Sequence, residues 1–166
     1  EGIELSPRAS EAAIEHGGEP LNALRALRFA VEGCLADGGL EKPEMSFQAS
    51  LTRTLREADA FRAVVRTRDF ELHYQPIVTL TTGAVHHFEA LARFKSPGGP
   101  ASTIRMAEEL ALIDGFDLAV AEKALGRLRR PGAGLMKFAV NVSGASLADD
   151  RYVEALLRMT ASRPED

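Results

Sequence analysis

The chain has 166 residues, 45% of them hydrophobic and 27% charged, which excludes a disordered tail, a collagen repeat and a membrane-embedded bundle. Twenty basic against 24 acidic residues give a formal charge of -4, so there is no broad cationic surface to bind DNA or RNA by counterion release. The single cysteine, Cys34, allows no internal disulfide, and no apolar run nears the roughly 18 residues of a membrane helix; a cytoplasmic setting without membrane contact within this chain is expected. Glu1 stands where Met would, no signal sequence follows it, and the chain reads as a piece of something longer.

Residues 2–7 form a short strand-like run, and Pro20 stands where a helix can begin. Leu21, Leu24, Leu27, Val31 and Leu35 then recur at helical spacing up to Gly38 and Gly39, which predicts an amphipathic helix buried on its leucine side. After Pro43 a second helix is expected, with Leu51, Leu55, Ala58, Phe61 or Arg62, and Val65 on its apolar face.

From Phe70 the period changes to two. Leu72, Tyr74 and Pro76 alternate with Glu71, His73 and Gln75, and a second alternating run covers Ala84 to Phe94. Only LTTG separates the runs, too short for a parallel crossover, so an antiparallel hairpin is expected with Gly83 in the left-handed turn position and Gln75 opposite Glu89. Breaker-rich KSPGGPAS leads to helices expected over Thr103 to Leu112 and Phe116 to Arg130, a third strand over Met136 to Val142, and a helix from Asp149 to Met159 with Val153, Leu156 and Leu157 inward.

Alternation in the second strand puts His87, Glu89, Leu91 and Arg93 on one face and Phe88, Ala90, Ala92 and Phe94 on the other, which should lie under helices. Asn141 is the polar group at the end of the third strand. Such a set could hold a hard divalent cation through oxygens of Glu89 and Asn141, with Arg93 on a phosphate and Gln75 nearby. Taken singly, a Glu and an Arg on one strand face are more often an ordinary surface ion pair, and a strand-end Asn more often makes a turn or caps a helix. His86 and His87, adjacent in a strand, should point to opposite faces and not share an ion, and Glu108 and Glu109 read as a helix surface or a cap on a neighbour.

FELHYQPIV, a short turn, FEALARF, MAEELALI on a helix, a further helix and FAVNVSGASL resemble, in that order and spacing, the first part of an EAL domain, the bacterial cyclic di-GMP phosphodiesterase family. The similarity covers about Arg66 to Asp166. It implies an α/β fold, an incomplete TIM-type (β/α) barrel whose first hairpin is antiparallel, preceded by a strand-helix segment and a connector helix. By the resemblance, Gln75, Leu91 and Arg93 contact the ligand, Glu89 and Asn141 hold Mg2+ or Mn2+, and no catalytic residue lies in this chain. The family's paired aspartates and water-assisting lysine would fall in barrel segments beyond these residues, so the chain alone is expected to be inactive while its parent hydrolyses cyclic di-GMP to the linear dinucleotide.

The resemblance also implies a homodimer through the EAL domain and an upstream regulatory domain. GIELSP followed by NALRALRFAVEGCLADGG looks like the last strand and helix of a GGDEF domain, which suggests an upstream domain over residues 1–44, a connector over 45–68 and the EAL part over 69–166. His87 and Phe88 stand where small residues commonly precede the motif, Leu110 and Ala111 where a small polar residue and glycine are frequent, and Ala119 where tryptophan is. These departures keep two other classes open: a cyclic di-GMP receptor without turnover and a protein-interaction scaffold.

Overall fold

The computed structural model describes residues 20–36, 43–95, 99–131 and 136–161; the expected strand over residues 2–7, which carries part of the GGDEF resemblance, lies outside them. In chain order the elements are α1 (Pro20–Ala36), α2 (Pro43–Thr67), β1 (Glu71–Val78), β2 (Val85–Arg93), α3 (Pro100–Glu109), α4 (Ile113–Leu128), β3 (Phe138–Val140), α5 (Gly144–Leu147) and α6 (Asp150–Ala161). The fold is α/β with an open three-stranded sheet in the order β1-β2-β3. The chain divides into two compact units, Glu1–Arg56 and Glu57–Asp166. Among the described residues no helix is long and apolar enough to cross a membrane.

In the first unit the helix forms as expected but buries its other side. Ala26, Ala30 and Cys34 are buried, whereas Leu24, Val31 and Leu35 are 62%, 42% and 56% exposed. Small side chains at four-residue spacing let α1 approach α2 closely, near enough for the buried Ser50 hydroxyl to donate to the Ala30 carbonyl at 2.9 Å. Gly33 completes this strip, because a Cβ there would meet the Ser50 Oγ at 3.2 Å. The leucine spacing was a real helical period, but close backbone approach and a hydrogen bond decided the buried face.

In the second unit the hairpin has the expected register. Gln75 pairs with Glu89, Tyr74 with Ala90 and His73 with Leu91, and Gly83 takes φ 68 in the turn. Near the turn the register slips: Ile77 pairs with His87 and Val78 with Val85, so His86 is an extra residue on β2. This bulge overturns the expected opposite placement of the two histidines. Their Nδ1 atoms come within 2.8 Å of each other.

β3 joins β2 in parallel, with Phe88 beside Phe138, Glu89 beside Ala139 and Ala90 beside Val140. It is shorter than the alternating sequence suggests, and α5 follows where no helix was expected. One sheet face is apolar: Tyr74 stacks on Phe138 at 4.7 Å between ring centres, and Phe88 meets Phe138 edge-on at 6.3 Å. At the strand ends Phe116 of α4 touches Phe61, Phe70 and Phe94 at 5.3, 5.3 and 5.4 Å. Each such pair adds about 0.5–1.5 kcal/mol beyond the area it buries.

Two helix ends use left-handed non-glycine residues. α3 stops at a Schellman turn: Ala111 has φ 53, its N–H donates to the Glu108 carbonyl, and the Leu112 N–H donates to the Ala107 carbonyl. α2 ends similarly at Arg68, φ 58, with the Asp69 N–H on the Val64 carbonyl. The Arg68 guanidinium then pairs with Glu122 at 2.8 Å, and the Lys123 ammonium donates to the carbonyls of Arg68 and Phe70. These bonds from α4 fix where the chain enters β1. In α6, Tyr152 is buried while Leu157, expected inward, is 61% exposed.

Candidate functional site

Strand register assembles the polar face. Because Gln75, Glu89 and Ala139 are lateral partners, their side chains leave the sheet on the same side, and Asn141 follows two residues beyond Ala139. The Asn141 amide nitrogen donates to Glu89 Oε1 at 2.7 Å. Glu89 is half-buried, and Gln75, Arg93 and Asn141 are exposed. Arg93 pairs across the ladder with Glu71 and donates to the Ala92 carbonyl at 3.2 Å, so its guanidinium is not bonded to Glu89. His73, on the Gln75 face, lies 3.6 Å from the Glu71 carboxylate.

Leu91, Arg93 and Asn141 line one cavity of about 330 Å3, together with Glu108, Asp117 and Ser143. Its remaining wall is largely apolar and includes Ala90, Phe94, Ile113 and Phe116. An apolar cavity with a few convergent polar groups suits a small organic ligand. Thus Glu89 and Asn141 are in contact, Gln75 is the lateral neighbour of Glu89, and Leu91, Arg93 and Asn141 share the cavity.

Two carboxylates not foreseen as part of this site hold the exit from β3. Asp117 accepts from the Ser143 N–H at 2.8 Å and from the Ser146 hydroxyl at 2.7 Å. Glu108 accepts from the Ser143 hydroxyl at 2.8 Å, and that Oγ in turn caps α5 by accepting from the Ala145 N–H. Burial pushes the Asp117 carboxyl above the usual aspartate range, the bonds from Ser146 and Ser143 work against that rise, and the charges of Glu108 and Asp114 add to it. Burial likewise raises the Tyr152 hydroxyl, with the Asp117 charge adding to it. That hydroxyl has no hydrogen-bond partner among the described residues. The sequence held one signal for Asp117: an acid between Ile113, Phe116 and Val120 lies on an otherwise buried helix face.

Among the described residues no three His, Cys, Asp or Glu side chains converge as a metal cage. Glu89 and Asn141 nevertheless fit a hard cation as two of its ligands. Both carry oxygen donors, their side-chain tips are 2.7 Å apart, and turning the amide over would put Oδ1 where Nδ2 now meets the carboxylate.

Comparison with known proteins identifies the family. The family model for the EAL domain matches residues 53–166. The chain is 36% identical over 110 residues to the cyclic di-GMP phosphodiesterase NbdA of Pseudomonas aeruginosa, covering 62% of this chain and 14% of that protein. The Xanthomonas citri FimX EAL domain in complex with cyclic di-GMP superimposes with a TM-score of 0.57 at 25% identity, over 69% of this chain and 46% of that one. The Pseudomonas aeruginosa FimX EAL domain bound to cyclic di-GMP gives 0.51 at 26% identity, over 66% and 47%. The chain therefore spans less than half the length of each of these proteins, and it belongs to the EAL domain family.

Proposed function

We propose that this chain supplies the opening strands of a (β/α) barrel that binds cyclic di-GMP, and that the complete protein hydrolyses it to the linear dinucleotide. The observation that carries this reading is the Asn141–Glu89 contact, next to a cavity that Leu91 and Arg93 also line. Arg93 would hold a phosphate through paired hydrogen bonds, Leu91 would pack against a guanine base, and Gln75 would hydrogen-bond the ligand's polar edge. Glu89 and Asn141 would hold Mg2+ or Mn2+, whose chemistry when bound is to stabilise charge on the phosphodiester and activate water.

One carboxylate and one amide are too few to hold the two ions, about 3.5–4 Å apart, that such hydrolysis uses. The isolated chain is therefore expected to be inactive. Residues 1–44 would belong to an upstream regulatory domain, residues 45–68 to its connector, and pairing of two EAL domains would give a homodimer. A second reading, a receptor without turnover, is favoured by one observation: Ala119, where the family often has tryptophan, is fully buried in α4 next in sequence to the cavity-lining Val120, so a methyl stands in the core where the family often has a large ring.

Product analysis with cyclic di-GMP and Mg2+ or Mn2+ tests these readings. Linear dinucleotide from the complete protein and none from the 166-residue chain is the expected result. Binding without product would favour the receptor, and neither binding nor product would overturn both.

A further inference from the structure

We propose that His86 and His87, at the bulge of β2, form a binding site for a divalent transition metal of tetragonal preference, with Cu2+ bound ahead of Zn2+. The two Nδ1 atoms are 2.8 Å apart, with ring planes at 82° and ring centres 5.1 Å apart. In the metal-free chain the contact is a hydrogen bond, one ring's Nδ1–H donating to the other's Nδ1, and with that proton displaced and both rings protonated at Nε2 two lone pairs are left in one region. A cation there satisfies both.

Affinity of nitrogen donors rises along the divalent series to Cu2+ and falls again at Zn2+, and the spacing is compatible with that order. Two metal–nitrogen bonds of about 2.0 Å put their nitrogens about 2.8 Å apart at the right angle of a tetragonal ion, and about 3.3 Å apart at the tetrahedral angle of Zn2+. The observed distance matches the first. Imidazole nitrogen also sets this pair apart from the oxygen donors Glu89 and Asn141, which suit Mg2+ or Mn2+.

The backbone presents the pair. The register slip makes His86 the unpaired residue of the bulge, His87 stays in the ladder opposite Ile77, and the next residue is tied to the neighbouring segment by the Phe88 N–H on the Lys137 carbonyl. Both rings are therefore carried on a hydrogen-bonded ribbon rather than a free loop. His86 is exposed and His87 half-buried, so water can reach an ion there and fill its remaining positions.

The test is a Cu2+ titration of the chain carrying His16→Ala and His73→Ala, which leaves only this histidine pair, followed by electron paramagnetic resonance. One tightly bound Cu2+ with a tetragonal spectrum and coupling to two imidazole nitrogens is expected, undisturbed by a large excess of Mg2+. Adding His86→Ala or His87→Ala should weaken binding about tenfold or more and remove one nitrogen coupling. A spectrum without imidazole nitrogen, unchanged affinity after both substitutions, or tighter binding of Zn2+ than of Cu2+ would overturn the proposal. The spectrum before the pair is altered decides the matter even if a variant fails to fold.

Discussion

The two faces of the sheet are held in place by different physics. On one, Tyr74, Phe88 and Phe138 pack ring against ring, and at the strand ends Phe116 gathers three more phenylalanines. On the other, Gln75 and Arg93 are exposed, and Glu89 is joined to Asn141 by a single hydrogen bond from the Asn141 amide. Burial makes the first face the source of stability. The second keeps polar groups accessible at little cost to the fold, which is where ligand chemistry can be placed.

The sharpest way to break this division is to empty the apolar side. Phe116→Ala removes the ring shared by Phe61, Phe70 and Phe94 and should cost about 3–5 kcal/mol, read as a fall in the urea midpoint. A loss near zero would mean that the cluster does not anchor the sheet. Ala111→Gly should act in the opposite direction, stabilising by about 1 kcal/mol in the same assay, because glycine takes φ 53 without a Cβ clash.

A pH series sharpens the comparison at the boundary between the faces. Asp117 titrates higher in the folded chain than in the unfolded one, so between the ordinary aspartate value and that raised value the folded chain binds the extra proton. Stability should therefore fall as pH rises through that window. Asp117→Asn should flatten this segment of the urea-midpoint curve, and an unchanged slope would assign it to another group. The smallest effect is expected on the polar face: Glu89→Gln should change stability by no more than about 0.5 kcal/mol, while weakening cation-dependent binding of cyclic di-GMP by the complete protein.

Much of this arrangement was legible in the residues. The hairpin register followed from a period of two and a four-residue gap, which together leave few pairings that keep Leu72 and Tyr74 on the apolar side. The contact between Glu89 and Asn141 followed from that register once β3 lay beside β2. Other features needed atoms. The bulge at His86 is a one-residue mismatch between strands, and alternation within one strand does not contain it. The buried side of α1 was ambiguous because two helical stripes compete, one of leucine and valine and one of alanine and cysteine, and the bond from Ser50 to Ala30 is invisible in either. Asp117 could be suspected from its apolar neighbours, but its partners lie 26 and 29 residues away, after β3.

The most direct test of the account is anomalous scattering from Mn2+ in crystals of the complete protein grown with cyclic di-GMP. The account predicts an ion coordinated by oxygens of Glu89 and Asn141, with a ligand phosphate on Arg93. An ion elsewhere, with the nucleotide away from Leu91 and Arg93, would contradict it.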